Sequence, residues 1–338
     1  MELVAEHAPQ WARAAEDDAA SLAEHAPQWA RAAEDDAAPP RAGNVYIAKS
    51  RVDAVCYDAS DDTLVVASSE LDGNYWTGGL EFVARCDLSE RASVHLTCGA
   101  ADCCLVGPGL AAVARDDGDV VVYDREGFAR ETFGEHDRGA RCVAVEGECV
   151  ARRVASGSAD ATVKLWTADR SASLATFAGH EDAVAGVAWV GHGLVASGSR
   201  DGAVKLWDPR LAEPCVATRT FESGVCAVAC LGAESGFCVA AGLQDGSVVR
   251  LDSHLGGDDK LTAFGDGAGV FALAARAVGD AVRVAAGADE GAARVVTVDG
   301  AGAVDLPARA DYVRALAWVD DATLAVGAWD SAVHLEAV

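Results

Sequence analysis

The strongest constraint on the fold is a short segment that recurs along the chain. Its clearest copy, Val195 to Asp208, reads VASGSRDGAVKLWD. Val204 and Leu206 alternate with small or charged residues, which is the period of two that a β-strand requires. Asp201-Gly202 precedes this strand, and Asp-Gly between two such runs favours a tight hairpin, because both residues tolerate a positive φ. The segment therefore predicts two antiparallel strands joined by a short turn.

The spacing of the copies indicates the architecture. With the acidic turn residue as marker, successive copies lie 43, 41, 44, 45 and 40 residues apart, at Asp117, Asp160, Asp201, Asp245, Glu290 and Asp330. A degenerate further copy spans Val65 to Val83. Repeats of roughly 40–45 residues with four strands each are typical of propeller blades. Gly179-His180 and Trp207-Asp208 resemble the Gly-His and Trp-Asp positions of WD repeats, so the sequence predicts an all-β, seven-bladed WD-repeat β-propeller.

The two ends of the repeat array predict the domain boundaries. The last repeat contains only three predicted strands, at 312–318, 323–327 and 332–336. A short apolar segment, Asn44 to Lys49, precedes the first full repeat. We expect it to pair as the missing fourth strand, because closing the ring removes exposed sheet edges. The propeller is therefore predicted to span residues 44–338.

Residues 1–43 differ in character from the rest of the chain. Residues 5–20 and 23–38 carry the same sequence, AEHAPQWARAAEDDAA. The apolar side chains of each copy are alanines and one Trp, which cannot offset the entropy of ordering the segment. We expect a mobile duplicated arm. The alternative is a segment that becomes ordered on a partner through Trp11 or Trp29.

The charge balance limits the classes of partner. The formal net charge is −26, whereas binding to a nucleic-acid backbone needs clustered Lys and Arg, so no nucleic-acid partner is expected. An acidic surface attracts basic partners and speeds their encounter; the alternative is that these residues only maintain solubility. No segment has the length of a membrane span, and the N-terminus lacks a secretion signal. We expect no membrane partner, and a protein of the cytoplasm and nucleus.

The cysteines do not predict a disulfide framework. They are eleven, an odd number, and they are scattered without a Cys-x-x-Cys pair. Several lie in predicted strands, where a thiol packs as a small apolar group. We expect reduced, buried thiols, as in intracellular proteins. One reactive thiol and a metal site are the alternatives.

In the regular blades, His, Ser, Asp and Trp are expected to form a buried hydrogen-bond network that stabilises the fold. Its members are His136, Asp160, Trp166, His180, Asp201 and Trp207. A Ser-His-Asp trio also occurs in hydrolases, but a triad needs one exposed nucleophile and an oxyanion hole, whereas this trio recurs blade by blade. The sequence contains no Gly-rich phosphate loop and no His-x-x-x-His pair. We predict no catalytic residue, metal or cofactor; carboxylates in the central channel leave a metal site as the alternative.

The first and last blades carry a more particular resemblance. Between two strands of the first blade, the sequence predicts an enlarged turn over Glu70 to Thr77. The surrounding segment, ASSELDGNYWTGGLEF, resembles the first blade of the methylosome WD-repeat family at Ala67, Ser68, Ser69, Gly73, Trp76, Gly78 and Leu80. The closing segment, DYVRALAW…AVGAWDSAVHLEAV, is similar at Val313-Arg314, Trp318, Gly327, Trp329-Asp330, Val333 and His334.

This resemblance implies a non-catalytic adaptor. Family members are propeller subunits of symmetric-type protein arginine methyltransferase complexes. They bind the methyltransferase largely through the first blade and help to present Arg/Gly-rich substrates such as histone tails and Sm proteins. For this chain the resemblance implies partner-binding residues at Leu71, Asn74, Tyr75 and Trp76. We interpret Trp76 as an interface anchor; the alternative is that it packs against the side of its own blade.

A second hypothesis comes from another class of protein. Ala196 to Arg210 (ASGSRDGAVKLWDPR) fits the box of small residues, an acid and Trp-Asp-x-Arg that substrate receptors of cullin–RING ubiquitin ligases show. A regular repeat followed by an Arg has the same pattern, so the box is of low specificity. A generic WD-repeat scaffold in another assembly is the third possibility.

Overall fold

The computed structural model describes residues 44–338, apart from 73–74, 148–152, 168–169, 171, 233–237, 258, 266, 280, 299 and 301. The arm predicted for residues 1–43 therefore lies outside the described residues. Regular structure in the described part is almost entirely β-strand, with short 3-10 turns at Gly191–Gly193 and Asp289–Gly291. Neither described helical turn has the length and apolarity needed to cross a membrane.

The strands are short and follow one another closely. The first part of the chain contains β1 (Val45–Ile47), β2 (Arg51–Asp58), β3 (Thr63–Asp72), β4 (Tyr75–Ala84), β5 (Glu90–Leu96), β6 (Ala100–Gly107), β7 (Leu110–Arg115), β8 (Val120–Asp124), β9 (Ala129–Phe133), β10 (Ala140–Val145), β11 (Arg153–Ser158), β12 (Thr162–Thr167) and β13 (Ala175–Ala178). The second part contains β14 (Val184–Val190), β15 (Leu194–Ser199), β16 (Ala203–Trp207), β17 (Cys215–Thr220), β18 (Val225–Cys230), β19 (Val239–Leu243), β20 (Ser247–Leu251), β21 (Asp259–Ala263), β22 (Val270–Val278), β23 (Ala281–Ala288), β24 (Ala293–Thr297), β25 (Ala303–Asp305), β26 (Val313–Trp318), β27 (Thr323–Ala328) and β28 (Ala332–Ala337).

The strands form seven four-stranded antiparallel sheets, which are the blades. Blades 1 to 6 each contain four consecutive strands, from β2–β5 to β22–β25, and blade 7 combines β26, β27 and β28 with β1. The first strands of neighbouring blades contact one another in a complete circle, from β2 through β6, β10, β14, β18 and β22 to β26 and back to β2. The prediction of a seven-bladed β-propeller is confirmed.

The Ser-Gly-Ser part of the repeat has a steric cause. A Cβ atom placed on Gly198 of β15 would lie 2.5 Å from Cγ1 of Val225, the first residue of the next blade. Carbon atoms do not approach so closely, so only glycine fits here, and the blades can pack tightly. The same contact recurs between Gly157 and Val184, Gly242 and Val270, Gly287 and Val313, and Gly327 and Val52.

The strand expected over residues 44–49 spans Val45–Ile47 and pairs antiparallel with β28 in blade 7. It also contacts blade 1, because the Tyr46 hydroxyl donates a hydrogen bond to the buried Glu81 carboxylate on β4. The Lys49 backbone N–H donates to the other oxygen of Glu81 at 3.0 Å. The closing strand is thus held by the last blade and the first blade together.

The prediction of an enlarged turn over Glu70 to Thr77 is wrong. The ladder between β3 and β4 continues through Glu70↔Thr77, Leu71↔Trp76 and Asp72↔Tyr75. This pairing satisfies backbone N–H and C=O groups of the six residues. Blade 1 therefore carries a long β-hairpin in place of a loop.

Candidate functional site

The structure brings the residues of the fourth-blade network together. His180 Nδ1 lies 2.9 Å from Asp201 Oδ2, and His180 Nε2 lies 2.8 Å from Ser197 Oγ. The Trp207 indole N–H donates to the same Ser197 Oγ at 2.7 Å. A carboxylate only accepts, so His180 carries its proton on Nδ1, and Nε2 accepts the Ser197 proton. The polar side-chain groups that face one another in this blade 4 network are all hydrogen-bonded.

Blade 3 repeats the arrangement with its own residues. His136 contacts Asp160 Oδ2 at 2.9 Å and Ser156 Oγ at 2.8 Å, and the Trp166 indole N–H donates to Ser156 at 2.8 Å. In blades 5 and 6 the strand position of the tryptophan is held by Leu251 and Val296, opposite Val239 and Val284.

These serines are not placed for catalysis. Ser197 and Ser156 are both fully buried, and each already accepts a tryptophan N–H. A hydrolase nucleophile needs access to substrate and nearby oxyanion donors. The two Ser-His-Asp trios lie inside the blades, where their hydrogen bonds hold strands together.

The network predicts a stability that depends on pH. Burial lowers the pKa of His180, with partial opposition from Asp201. Below about pH 6.5, the unfolded chain therefore binds a proton that the folded His180 resists, and the folded state loses stability as the pH falls, by up to about 1.4 kcal/mol per pH unit for one histidine. We expect the difference in unfolding free energy between wild type and His180→Gln to shrink from pH 7.5 to pH 5.5.

The control for this experiment is His254→Gln, because His254 is exposed. Its difference from wild type should stay constant over the same range, measured by urea unfolding at each pH. Lower pH also protonates carboxylates throughout the protein, which changes the unfolding free energy of all three proteins alike. This common change cancels when the variants are compared with wild type. A constant difference for His180→Gln would contradict a neutral, buried histidine.

The residues implied for partner binding lie on the β3–β4 hairpin. Leu71 and Trp76 pair directly across it and are 54% and 48% exposed. Tyr75 is the first residue of β4 and pairs with Asp72, and Asn74 lies outside the described residues. The hairpin leaves blade 1 at the end where β2 begins, so Trp76 also lines the mouth of the central channel.

The channel is lined by one equivalent residue from every blade. Where the first strand of each blade pairs with the second, the register skips one residue near its start, which is a β-bulge. The skipped residues all line the channel, and they are Asp53, Ala101, Arg141, Ala185, Cys226, Phe271 and Arg314. Bulges often re-aim a side chain toward a functional site. We refer to these seven as the bulge ring.

The channel has a volume of about 800 Å³ and a charged lining. Its charged side chains are Arg51, Arg138, Arg141, Arg200, Arg314, Asp53, Asp102, Asp116 and Asp182. No group of His, Cys, Asp and Glu among the described residues is arranged to hold a metal ion.

The bulge ring could not be recognised in the sequence, because its residue types differ from blade to blade. The signal that could have found it is positional. Each member follows the first buried residue of the first strand, as Arg314 follows Val313 and Asp53 follows Val52. Such a residue can be identified only after the register of the neighbouring strand is known.

The described cysteines are free thiols. Burial raises the pKa of Cys104 and Cys142, which makes these thiols poor nucleophiles. Cys86 and Cys215 are exposed, and Cys149 lies outside the described residues.

In the box that suggested a ubiquitin ligase receptor, Ala196 to Arg210, the arginine lies at the end of the strands opposite the β3–β4 hairpin. Arg210 follows β16, at the end of blade 4 away from the Asp201-Gly202 turn and hence away from the β3–β4 hairpin. Its side chain is 64% exposed, but Nε and one Nη donate to the Asp208 carboxylate at 2.7 and 2.8 Å. The guanidinium is thus engaged within its own loop.

Fold and site together define a β-propeller that is built for contact with other molecules, and comparison with known proteins agrees. Residues 129–167 and 171–208 match the family WD domain, G-beta repeat. These segments run from β9, the last strand of blade 2, to the end of β16 in blade 4. The chain is thus a seven-bladed β-propeller with two segments that match WD40 repeats. A comparison with curated proteins finds no significant match.

A chain in a solved structure described as "Crystal Structure of Mitotic Checkpoint Complex" is similar in fold. The TM-score is 0.72 at 20% identity, and the match covers 90% of this chain and 95% of that chain. At this identity the likeness shows the shared propeller fold alone. A WD-repeat propeller indicates a scaffold role in protein–protein interaction.

Proposed function

We propose that this propeller is a non-catalytic adaptor that binds a symmetric-type protein arginine methyltransferase through the β3–β4 hairpin. The observation that carries the proposal is the exposed pair of Leu71 and Trp76 at the end of this hairpin. Large apolar side chains exposed together favour a protein partner, and Trp is the residue type most enriched at binding hot spots. The resemblance of the first blade to the methylosome WD-repeat family supports the identity of the partner.

The charge balance supports the second part of the proposal, which is the presentation of basic substrates such as histone tails and Sm proteins. A net charge of −26 attracts Arg-rich chains over distances of about 8 Å at physiological salt. Contacts of this kind raise the encounter rate more than they raise the affinity. The adaptor would therefore concentrate substrate near the methyltransferase without taking part in the chemistry.

The change Trp76→Ala tests the interface. Truncation of a Trp hot spot costs roughly 2–4 kcal/mol of binding, so the dissociation constant for the purified methyltransferase should rise by about 30- to 1000-fold. The melting temperature of the free propeller should stay nearly unchanged, because about half of this side chain is already exposed. Biolayer interferometry and thermal denaturation measure the two quantities on the same samples.

The matched control is Phe128→Ala, which removes an aromatic ring that is 64% exposed on blade 2. Its affinity for the methyltransferase should equal that of wild type. Equal affinities for Trp76→Ala and wild type would contradict the proposed interface. Association with a cullin–RING adaptor that is lost in Arg210→Ala would favour the ubiquitin ligase hypothesis instead.

A further inference from the structure

Two of the three charged members of the bulge ring, Asp53 and Arg314, lie where blades 7 and 1 meet. The guanidinium carbon of Arg314 lies 4.8 Å from the centre of the Phe271 ring and 5.6 Å from that of Trp329. The Trp329 indole N–H donates to Asp53 Oδ1 at 2.9 Å. We call Arg51, Asp53, Phe271, Arg314 and Trp329 the arginine sector.

Two guanidinium groups contact the same indole ring in this sector. The guanidinium carbon of Arg51 also lies 5.6 Å from the Trp329 ring centre, the same distance as that of Arg314. The two positive charges are therefore no farther apart than twice that distance. Like charges at this separation repel, and an anion that contacts both guanidinium groups would relieve the repulsion.

Two buried polar atoms of the sector lack a hydrogen-bond partner within the described structure. Arg314 Nε and Asp53 Oδ2 are buried without a hydrogen-bond partner among the described residues. Burial lowers the pKa of Arg314, although Asp53 and Asp289 oppose this. A buried charge without a partner is costly, since buried ions are normally paired.

Four of the five arginines that line the channel lack an ion-pair partner in the described blades, and the fifth, Arg141, pairs with Asp116 at 3.6 Å. Within the described part of the chain, Arg51, Arg138, Arg200 and Arg314 make no ion pair within 4.0 Å. Most arginines elsewhere are paired, such as Arg85, Arg130, Arg153, Arg294 and Arg309. In a chain with 53 acidic and 27 basic residues, carboxylates are abundant, so unpaired arginines gathered at one channel indicate a cationic site.

Two aspartates of the channel are buried enough to favour their neutral form. Burial raises the pKa of Asp102 to about 7, although hydrogen bonds from the Val143 and Cys103 N–H groups oppose this. Burial also raises the pKa of Asp53. At neutral pH Asp102 is therefore only partly ionised and contributes less than a full negative charge to the channel.

We propose that the arginine sector binds the carboxylate of a Glu or Asp side chain carried by a peptide segment of a partner protein. Arginine forks pair with carboxylates, and the channel volume suits a few inserted side chains. Asp116 and Asp182 in the same channel disfavour a dianion such as a phosphate and any nucleic acid. The proposal does not depend on the methyltransferase.

Fluorescence polarisation with short labelled peptides tests this site. Four Gly/Ser-rich peptides of equal length differ only at two central positions, which are Glu-Glu, Gln-Gln, phosphoserine-phosphoserine or Arg-Arg. We expect the Glu-Glu peptide to bind tightest, and at least tenfold more tightly than the Gln-Gln peptide. Its affinity should fall tenfold or more in Arg51→Gln and in Arg314→Gln, and it should fall as salt is raised.

Arg130→Gln is the matched control, because it removes the same charge from an exposed position on blade 2, where Arg130 pairs with Asp124. Its affinity for the Glu-Glu peptide should equal that of wild type. If Arg314→Gln melts at a lower temperature, Arg51→Gln still decides, since Arg51 is only half-buried. Absence of binding, equal binding of Glu-Glu and Gln-Gln, tighter binding of the phosphoserine or Arg-Arg peptide, or wild-type affinity in Arg51→Gln would each overturn the proposal.

Discussion

Trp207→Ala should lower the unfolding free energy by roughly 3–5 kcal/mol, the usual cost of removing a buried aromatic side chain. Trp207 is 1% exposed and stacks on Phe177 with ring centres 5.2 Å apart. The substitution leaves a cavity and also leaves Ser197 without its indole donor. We expect the melting temperature to fall on the order of 10 °C, measured by differential scanning fluorimetry and checked by urea unfolding.

Trp76→Ala provides the matched control, because it deletes the same side chain from an exposed position. Its melting temperature should lie close to that of wild type. Ser197→Ala should fall between the two, since it leaves both the Trp207 N–H and His180 Nε2 without their partner, at a cost of about 1–3 kcal/mol for a buried group. A Trp207→Ala protein that melts with wild type would contradict a structural role for the network.

The parts of the fold that could be predicted are those encoded by local spacing. The Asp-Gly turn, the alternation of Val204 and Leu206, and the Gly-His and Trp-Asp positions each follow from neighbouring residues, so blade 4 was predicted in detail. The number of blades followed from the period. Gly198 indicates that another part of the chain packs closely against its strand. The sequence alone does not show that this part is Val225.

The parts that were missed depend on register between distant segments. The β3–β4 hairpin was predicted as an enlarged turn, whereas its strands pair through backbone groups and this pairing does not require particular side chains. The bulge ring was missed because one skipped residue in a strand pair reverses the face of a side chain. Arg51, Arg314 and Trp329 come together only when the last blade meets the first.

The arginine sector gives a different electrostatic description of the protein from its net charge. The whole chain repels acidic macromolecules at long range, whereas the channel attracts a carboxylate at short range, where the low dielectric strengthens the interaction. A partner with a basic surface would be attracted by the negative net charge at long range. One acidic side chain of the same partner, inserted into the channel, would pair with the arginines at short range. The hairpin with Trp76 stands beside the same channel mouth, so one partner can contact both.

Tyr46→Ala should destabilise the ring where it closes, by roughly 3–5 kcal/mol, since it removes a large buried side chain. Tyr46 is 8% exposed and packs with Val52, Leu64 and Val333 in one apolar cluster between the closing strand and blade 1. Burial raises the pKa of Tyr46, so its hydroxyl stays protonated and donates to Glu81. Urea unfolding and native-state proteolysis near residues 44–50 measure the expected loss.

Two further variants separate packing from hydrogen bonding. Tyr46→Phe keeps the ring but removes a donor to a buried carboxylate, and hydrogen bonds to charged groups contribute about 1.5–3 kcal/mol, so this variant should lose part of the stability. Ile47→Ala deletes more atoms from the next residue of the same strand, yet Ile47 is 49% exposed, so its loss should stay within about 0.5 kcal/mol. If Ile47→Ala cost as much as Tyr46→Phe, β1 would be held by general contact with blade 7. The expected order, with Tyr46→Ala the least stable, instead assigns closure of the ring to the bond between Tyr46 and Glu81, which joins the first blade to the last.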